Sequence, residues 1–312
     1  MSWKGHFWTL GPFLRHNLLP PEVPEWQRWE TSVRDGVVGT LDLSGRLSQD
    51  GQADTIVVIV HGLGGSATSY YARQAAQAAA RVGIDSLRLN LRGADRGGAD
   101  YYHAGLTDDL DAALKSPALA RYQNIFLLGY SLGGNMMLRY LAGSPDPRVR
   151  AAAAVCSPID LKPGARAIDR PRGLFYRRHI LSALKDIYSQ VAARREVPLP
   201  LEQAVRIDTI ESWDERVISP RHGFAGAEDY WARTSACNIL EEIKTPTLFI
   251  ASERDPMVPI DTVLPWLQTA SQLRWVVTPK GGHVGFPQKV NLGLGSGGTV
   301  EDQILQWMQA PT

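Results

Sequence analysis

The sequence predicts an α/β fold: a mostly parallel sheet of about eight strands, with a helical insertion late in the chain. Three observations predict it. Thr55-Ile56-Val57-Val58-Ile59-Val60 is an almost unbroken β-branched run, the pattern of a strand buried on both faces of a parallel sheet. Apolar runs alternate with helix-forming stretches as far as about residue 155, which implies right-handed crossovers. A serine framed by glycines, in Gly129-Tyr130-Ser131-Leu132-Gly133, sits between the apolar run Asn124-Ile125-Phe126-Leu127-Leu128 and a helix-forming stretch.

Composition sets the bounds. With 312 residues, 44% apolar and 21% charged, the chain has material for one large domain, and we read residues 1–312 as one. A formal net charge of +1 gives no global electrostatic case for nucleic acid. Two cysteines, Cys156 and Cys237, suggest free thiols in a reducing compartment rather than a disulfide framework. The first nineteen residues lack the continuous apolar core of a signal peptide, and no run reaches membrane-span length. The expectation is a cytoplasmic protein, with peripheral membrane contact left open.

Taken in order, residues 1–30 read as an N-terminal arm in which Trp3, Trp8, Trp26 and Trp29 pin the segment to the core. Residues 29–43 read as a hairpin around Arg34-Asp35-Gly36. The 55–60 strand ends in His61-Gly62-Leu63-Gly64-Gly65, a glycine-rich turn at the ligand-binding edge of such sheets. No Lys-Ser/Thr follows those glycines, which excludes a P-loop. A helix over 70–81, a strand over 84–90 and a helix over 107–114, capped by Thr107, precede the serine strand. A weaker strand at 151–155 follows. Residues 161–236 then turn helical in period and Arg-rich, read as a cap over the active-site end. Strands resume at 247–251 and 273–277, and a last helix starts near Val300 with Thr299 as its N-cap. Gly293-Leu294-Gly295-Ser296-Gly297-Gly298 fits the dinucleotide pattern but follows no strand, so it reads as a loop.

The glycine-framed serine is a nucleophile-elbow pattern. Its turn is so sharp that positions two residues to either side must be small, which Gly129 and Gly133 satisfy. A serine hydroxyl needs a base, an orienting acid and an oxyanion hole. In the chain order of this architecture the acid follows the serine: Asp255 lies just past the 247–251 strand, with Asp160, Glu253 and Asp261 as competitors. His283 alone among the histidines follows the last strand; His179 and His222 fall in the helical insertion. The backbone N–H groups of Leu63 and Leu132 are the expected oxyanion donors. His103, in Tyr101-Tyr102-His103-Ala104-Gly105, is a structural or substrate-adjacent candidate. In the insertion an apolar helical face containing Phe175 and Leu181 could line an acyl pocket, interleaved with Arg166, Arg170, Arg172, Arg177 and Arg178.

Several stretches together resemble the YheT-type branch of the α/β-hydrolases, the AB-hydrolase-4 family. They are Gly5-His6-Phe7-Trp8-Thr9-Leu10, His61-Gly62-Leu63-Gly64-Gly65, Asn90-Leu91-Arg92-Gly93, Tyr102-His103-Ala104-Gly105 and Gly129 through Asn135. His222-Gly223-Phe224 with Asp229-Tyr230-Trp231, then Asp255-Pro256 and Gly282-His283-Val284-Gly285-Phe286, complete the set. Trp8 stands where the family usually has glutamine, and the 293–298 glycine run replaces a bulkier segment. The resemblance implies an α/β-hydrolase fold, a Ser131–Asp255–His283 triad and chemistry on acyl esters, with no cofactor and no metal. Relatives include bacterial esterases and eukaryotic enzymes acting on medium-chain esters and phospholipids. The expected function is therefore a serine carboxylesterase for short- to medium-chain acyl esters. Acyl transfer to an alcohol, or a catalytically silent binding module on the same fold, are the alternatives.

Overall fold

The computed structural model describes residues 3–19, 26–32, 38–44, 54–97, 100–295 and 297–311. Six strands form one fully parallel sheet: β3 (Thr55–Val60), β4 (Asp85–Leu89), β5 (Asn124–Tyr130), β6 (Val149–Val155), β7 (Thr247–Ser252) and β8 (Leu273–Thr278). Their spatial order is β4-β3-β5-β6-β7-β8. The remaining two, β1 (Trp26–Ser32) and β2 (Val38–Ser44), pair antiparallel in a sheet of their own. The eight expected strands are thus divided six and two; the turn expected at residues 34–36 lies outside the described residues.

The β3 run is continuous in sequence because both of its faces are covered. Ile56, Val58 and Val60 join one hydrophobic cluster, while Val57 and Ile59 join the cluster on the opposite face. β5 divides the same way, with Ile125 and Leu127 on one side and Phe126, Leu128 and Tyr130 on the other. From β3 the chain steps outward to β4, then returns to place β5 on β3's other side. That reversal opens a crevice at the carboxyl ends of β3 and β5, where sheets of this kind bind ligands.

The first six α-helices are α1 (Trp3–Leu18), α2 (Tyr70–Arg81), α3 (Asp108–Leu114), α4 (Leu132–Ala142), α5 (Leu161–Asp169) and α6 (Leu174–Ala192), and all but α3 supply side chains to the cavity over this crevice. No strand interrupts residues 156–246; shorter helical turns and the helix α7 (Ala227–Thr234) complete that stretch. The last helix, α8 (Val300–Gln309), opens on a reciprocal cap. Thr299 Oγ1 accepts from Asp302 N–H, and the Asp302 carboxylate accepts from Thr299 N–H. The 293–298 glycines precede this helix in a turn-rich loop, with positive φ at Gly293, Gly295 and Gly298.

Two local expectations are corrected. Within the arm, residues 3–18 form the helix α1 and 26–30 belong to β1. Trp3 is 71% exposed and pins nothing, Trp8 is half-buried, and Gly5 and Thr9 are the buried residues of α1 among those described. The Trp26 and Trp29 side chains lie outside the described residues. Thr107 stands before α3 without a side-chain capping bond. The acidic first turn is instead drawn inward by Asp109, which accepts from Arg92 N–H at 2.7 Å and Arg92 Nε at 2.9 Å. Both residues are buried, and the pair fixes the loop that follows β4.

Candidate active site

Ser131 ends β5 and begins α4 at φ 51°, ψ −123°, a conformation that L-residues rarely hold. The flanking glycines make the turn feasible. A methyl group on Gly129 would lie 2.6 Å from Gly134 Cα, and one on Gly133 would lie 2.5 Å from the Val60 and His61 carbonyl oxygens. No side chain fits at either position.

His283, in the loop after β8, places Nε2 2.9 Å from Ser131 Oγ. Its Nδ1 lies 2.9 and 3.1 Å from the two carboxylate oxygens of Asp255, in the loop after β7. With Nδ1–H donated to Asp255, the neutral ring presents the Nε2 lone pair to the serine hydroxyl. Asp255 Oδ1 also accepts from the N–H groups of Met257 and Val258, at 2.8 and 2.9 Å, which anchors the carboxylate. Asp255 and His283 are both buried. The competing acids are elsewhere: Asp160 accepts from Lys162 N–H as the N-cap of α5, and Glu253 and Asp261 are exposed.

The 61–65 turn runs directly against the serine. A methyl on Gly62 would meet Ser131 Cβ at 2.9 Å. Three side chains shape this turn. Buried His61 donates Nδ1–H to the Gly62 carbonyl at 2.8 Å and accepts from Leu91 N–H through Nε2. Burial lowers its pKa to about 4, so the ring is neutral and this tautomer is held. The Tyr71 hydroxyl accepts from Gly62 N–H at 3.0 Å, and the Tyr102 hydroxyl accepts from Gly64 N–H at 2.7 Å. Between these two committed amides, the N–H of Leu63 has no protein partner among the described residues. Leu132, at the first position of α4, carries an N–H with no preceding helical turn to accept it.

A cavity of about 600 Å³ opens over Ser131. His103 and Phe175 line it, as expected. Leu181 does not: it packs wholly into the main hydrophobic cluster, whereas Ile180 and Leu184 of that cluster also reach the cavity, with Tyr176 and His179 beside them on α6. His103 Nδ1 accepts from Gly105 N–H at 3.2 Å, and its ring lies 4.4 Å from that of His222. Burial, then the neighbouring His222, hold its pKa well below the usual imidazole range.

Sequence reasoning missed α1. Thr9, Leu10, Phe13 and His16 form part of the cavity wall. Thr9 Oγ1 accepts the backbone N–H of His283 at 2.8 Å and donates to the Gly5 carbonyl at 2.8 Å. The helix sits so close that a methyl on Gly285 would lie 2.1 Å from the Trp8 carbonyl oxygen, and one on Gly5 would lie 1.9 Å from that of Arg254. The signal was present in the spacing Gly5…Thr9 and in the glycines flanking His283, which only tertiary contact explains.

The sequence profile described as alpha/beta hydrolase fold matches residues 55–290. The chain belongs to the α/β-hydrolase family. Within it the resemblance to the YheT type holds: the presumptive esterase YheT of Escherichia coli K12 is 31% identical over 279 residues, 85% of this chain and 79% of that protein. A Saccharomyces cerevisiae monoacylglycerol lipase is 26% identical over 77% of this hydrolase and 56% of its own length. A Pyrococcus furiosus esterase superposes with a TM-score of 0.56 over 83% of this chain and 85% of that one, at 20% identity, a likeness of fold alone. Among the described residues no group of side chains is arranged to hold a metal ion, and no helix is long and apolar enough to cross a membrane.

Proposed function

We propose that this α/β-hydrolase is a serine carboxylesterase that cleaves short- to medium-chain acyl esters through an acyl-enzyme. One observation carries the reading: the continuous chain Ser131 Oγ, His283 Nε2, His283 Nδ1, Asp255, each link at 2.9 Å, with the serine on a strained turn under a cavity. As Ser131 Oγ attacks the ester carbonyl carbon, its proton passes to His283 Nε2, and Asp255 stabilises the imidazolium. The N–H groups of Leu63 and Leu132 receive the oxyanion, the first kept available because its neighbours bond to tyrosine hydroxyls. His283 then returns the proton to the departing alcohol oxygen. Water, deprotonated by the same imidazole, releases the acid. Residues 161–236 act as a cap whose inner face accepts the acyl chain, and the esterase and lipase relatives favour a small ester over other acyl compounds.

The test is labelling with a fluorophosphonate probe, followed by assay on 4-nitrophenyl butyrate. The wild type should label and turn over; Ser131→Ala should do neither. A labelled Ser131→Ala protein, or an unlabelled, inactive wild type, would sink the proposal. Running the assay with added ethanol reports any partition of the acyl group to alcohol rather than water.

A further inference from the structure

The cavity wall built by α1 and the start of α2 holds a positive charge that no carboxylate among the described residues neutralises. Arg73, in the first turn of α2, is half-buried and lines the cavity. Its Nε is closed off from solvent without a hydrogen-bond partner, and among the described residues no carboxylate pairs with its guanidinium. Buried donors of this kind are almost always satisfied, so an empty one on a side chain that lines a cavity asks for an acceptor. His16 on α1 lines the same wall, and its Nδ1 is likewise buried and unpartnered. The two are close enough that, after burial, the Arg73 charge is the next force holding the His16 pKa down, against a smaller opposing effect from the Thr68 carbonyl. Thr68 and Ser69, just ahead of α2, line the cavity beside them.

The other charged groups on the cavity wall are committed. Arg96 donates to Asp186 at 2.8 Å. Asp214, the one carboxylate among the described lining residues, accepts from Trp231 Nε1 at 2.8 Å, and burial pushes its pKa up to about 7. The Trp213 side of the cavity is otherwise apolar, with Ile168, Ile180, Leu184, Ile210 and Ile218, which suits an acyl chain. The Arg73 wall is left for the remainder of the substrate.

We propose that Arg73 and His16 form an anion subsite in this cavity, and that the preferred ester carries a phosphate or carboxylate on its alcohol portion. The inference rests on the ester-hydrolase reading. Arg73 supplies a charge-assisted donor pair, and His16 a further N–H donor once an anion sits beside it.

Three butyryl esters separate the possibilities: 1-butyrylglycerol, which is neutral, 1-butyrylglycerol 3-phosphate, and 3-butyryloxypropanoate. The wild type should favour at least one anionic ester in kcat/KM, and the favoured one tells phosphate from carboxylate. Arg73→Gln should lower the anionic-to-neutral ratio by about 10- to 100-fold, the size of a charged hydrogen bond, chiefly through KM. Arg73→Lys should recover part of that loss for phosphate and less for carboxylate, which the planar fork recognises better. Calorimetric binding of 1-butyrylglycerol 3-phosphate to the Ser131→Ala protein, with and without Arg73→Gln, reads the same loss without turnover. A wild type indifferent to charge, or an unchanged ratio in Arg73→Gln, overturns the subsite while leaving the esterase intact. A wild type that hydrolyses none of the three and takes no fluorophosphonate overturns both.

Discussion

Replacing Thr9 with valine isolates what α1 does for His283. The shape of the side chain is kept, but the oxygen that accepts His283 N–H at 2.8 Å and donates to the Gly5 carbonyl is lost. Leaving that buried N–H unpaired costs about 1–3 kcal/mol. The same bond fixes where the histidine loop begins, and a displacement of about 1 Å at a reacting group costs on the order of 10² in rate. Thr9→Val should therefore lower kcat on 4-nitrophenyl butyrate by roughly 10- to 100-fold while KM changes little. Thr9→Ser retains both hydrogen bonds and should restore kcat to within about threefold of wild type. Urea denaturation of both variants measures the stability change separately. If Thr9→Val loses stability by the expected amount but keeps wild-type kcat, α1 is only a structural strap and the positioning argument fails.

The remaining expectations can be checked with the same assays. Ser131→Ala should cost on the order of 10⁶ in kcat without unfolding the protein. Asp255→Asn should cost about 10⁴ by favouring the wrong imidazole tautomer, whereas Asp160→Asn, at the α5 N-cap, should alter kcat little; reversed effects would move the acid to β6. kcat/KM should rise from acetate toward roughly octanoate esters at up to about 0.8 kcal/mol per methylene, and Phe175→Ala should flatten the rise; a profile peaking at acetate would make residues 161–236 purely structural. Stability should fall with pH between the ordinary His61 pKa of 6.5 and its folded value of about 4, because the unfolded chain takes up a proton that the buried ring refuses. That shift is worth on the order of 3 kcal/mol, and urea midpoints that stay level from pH 7 to pH 4.5 would contradict it.

The parts legible in sequence are those whose physical demand is local. β3 and β5 announce themselves because burial on both faces removes the polar alternation, and the elbow does so because only glycine fits at 129 and 133. Asp255 and His283 follow from strand order, since parallel strands deliver their loops to one edge. Other features depend on contacts far along the chain. Gly11 and Pro12 interrupt the α1 pattern, so it read as an arm. Trp8 lies far from the site in sequence, yet the Trp8 backbone packs against Gly285, two residues from His283. Leu181 and Ile180 are neighbours on α6 and both join the core, and periodicity cannot say which of them also reaches the cavity; the packing of α6 decides.

Asn135 donates to the carbonyls of Ala104 and Thr234 and accepts from Ala236 N–H. Tyr230 accepts from Ala104 N–H, Trp231 donates to Asp214, and Tyr102 accepts from Gly64 N–H. None of these bonds involves Ser131, Asp255 or His283. Together they tie α4, which begins at the serine, to the 101–106 loop, the 61–65 turn and α7. These motif residues thus hold the helical stretch in register with the elbow. Loosening them should alter the shape of the cavity, and hence substrate choice, before it alters the reacting groups. Asn135 is the strongest case, because its three hydrogen bonds are buried and an apolar replacement leaves their partners unpaired.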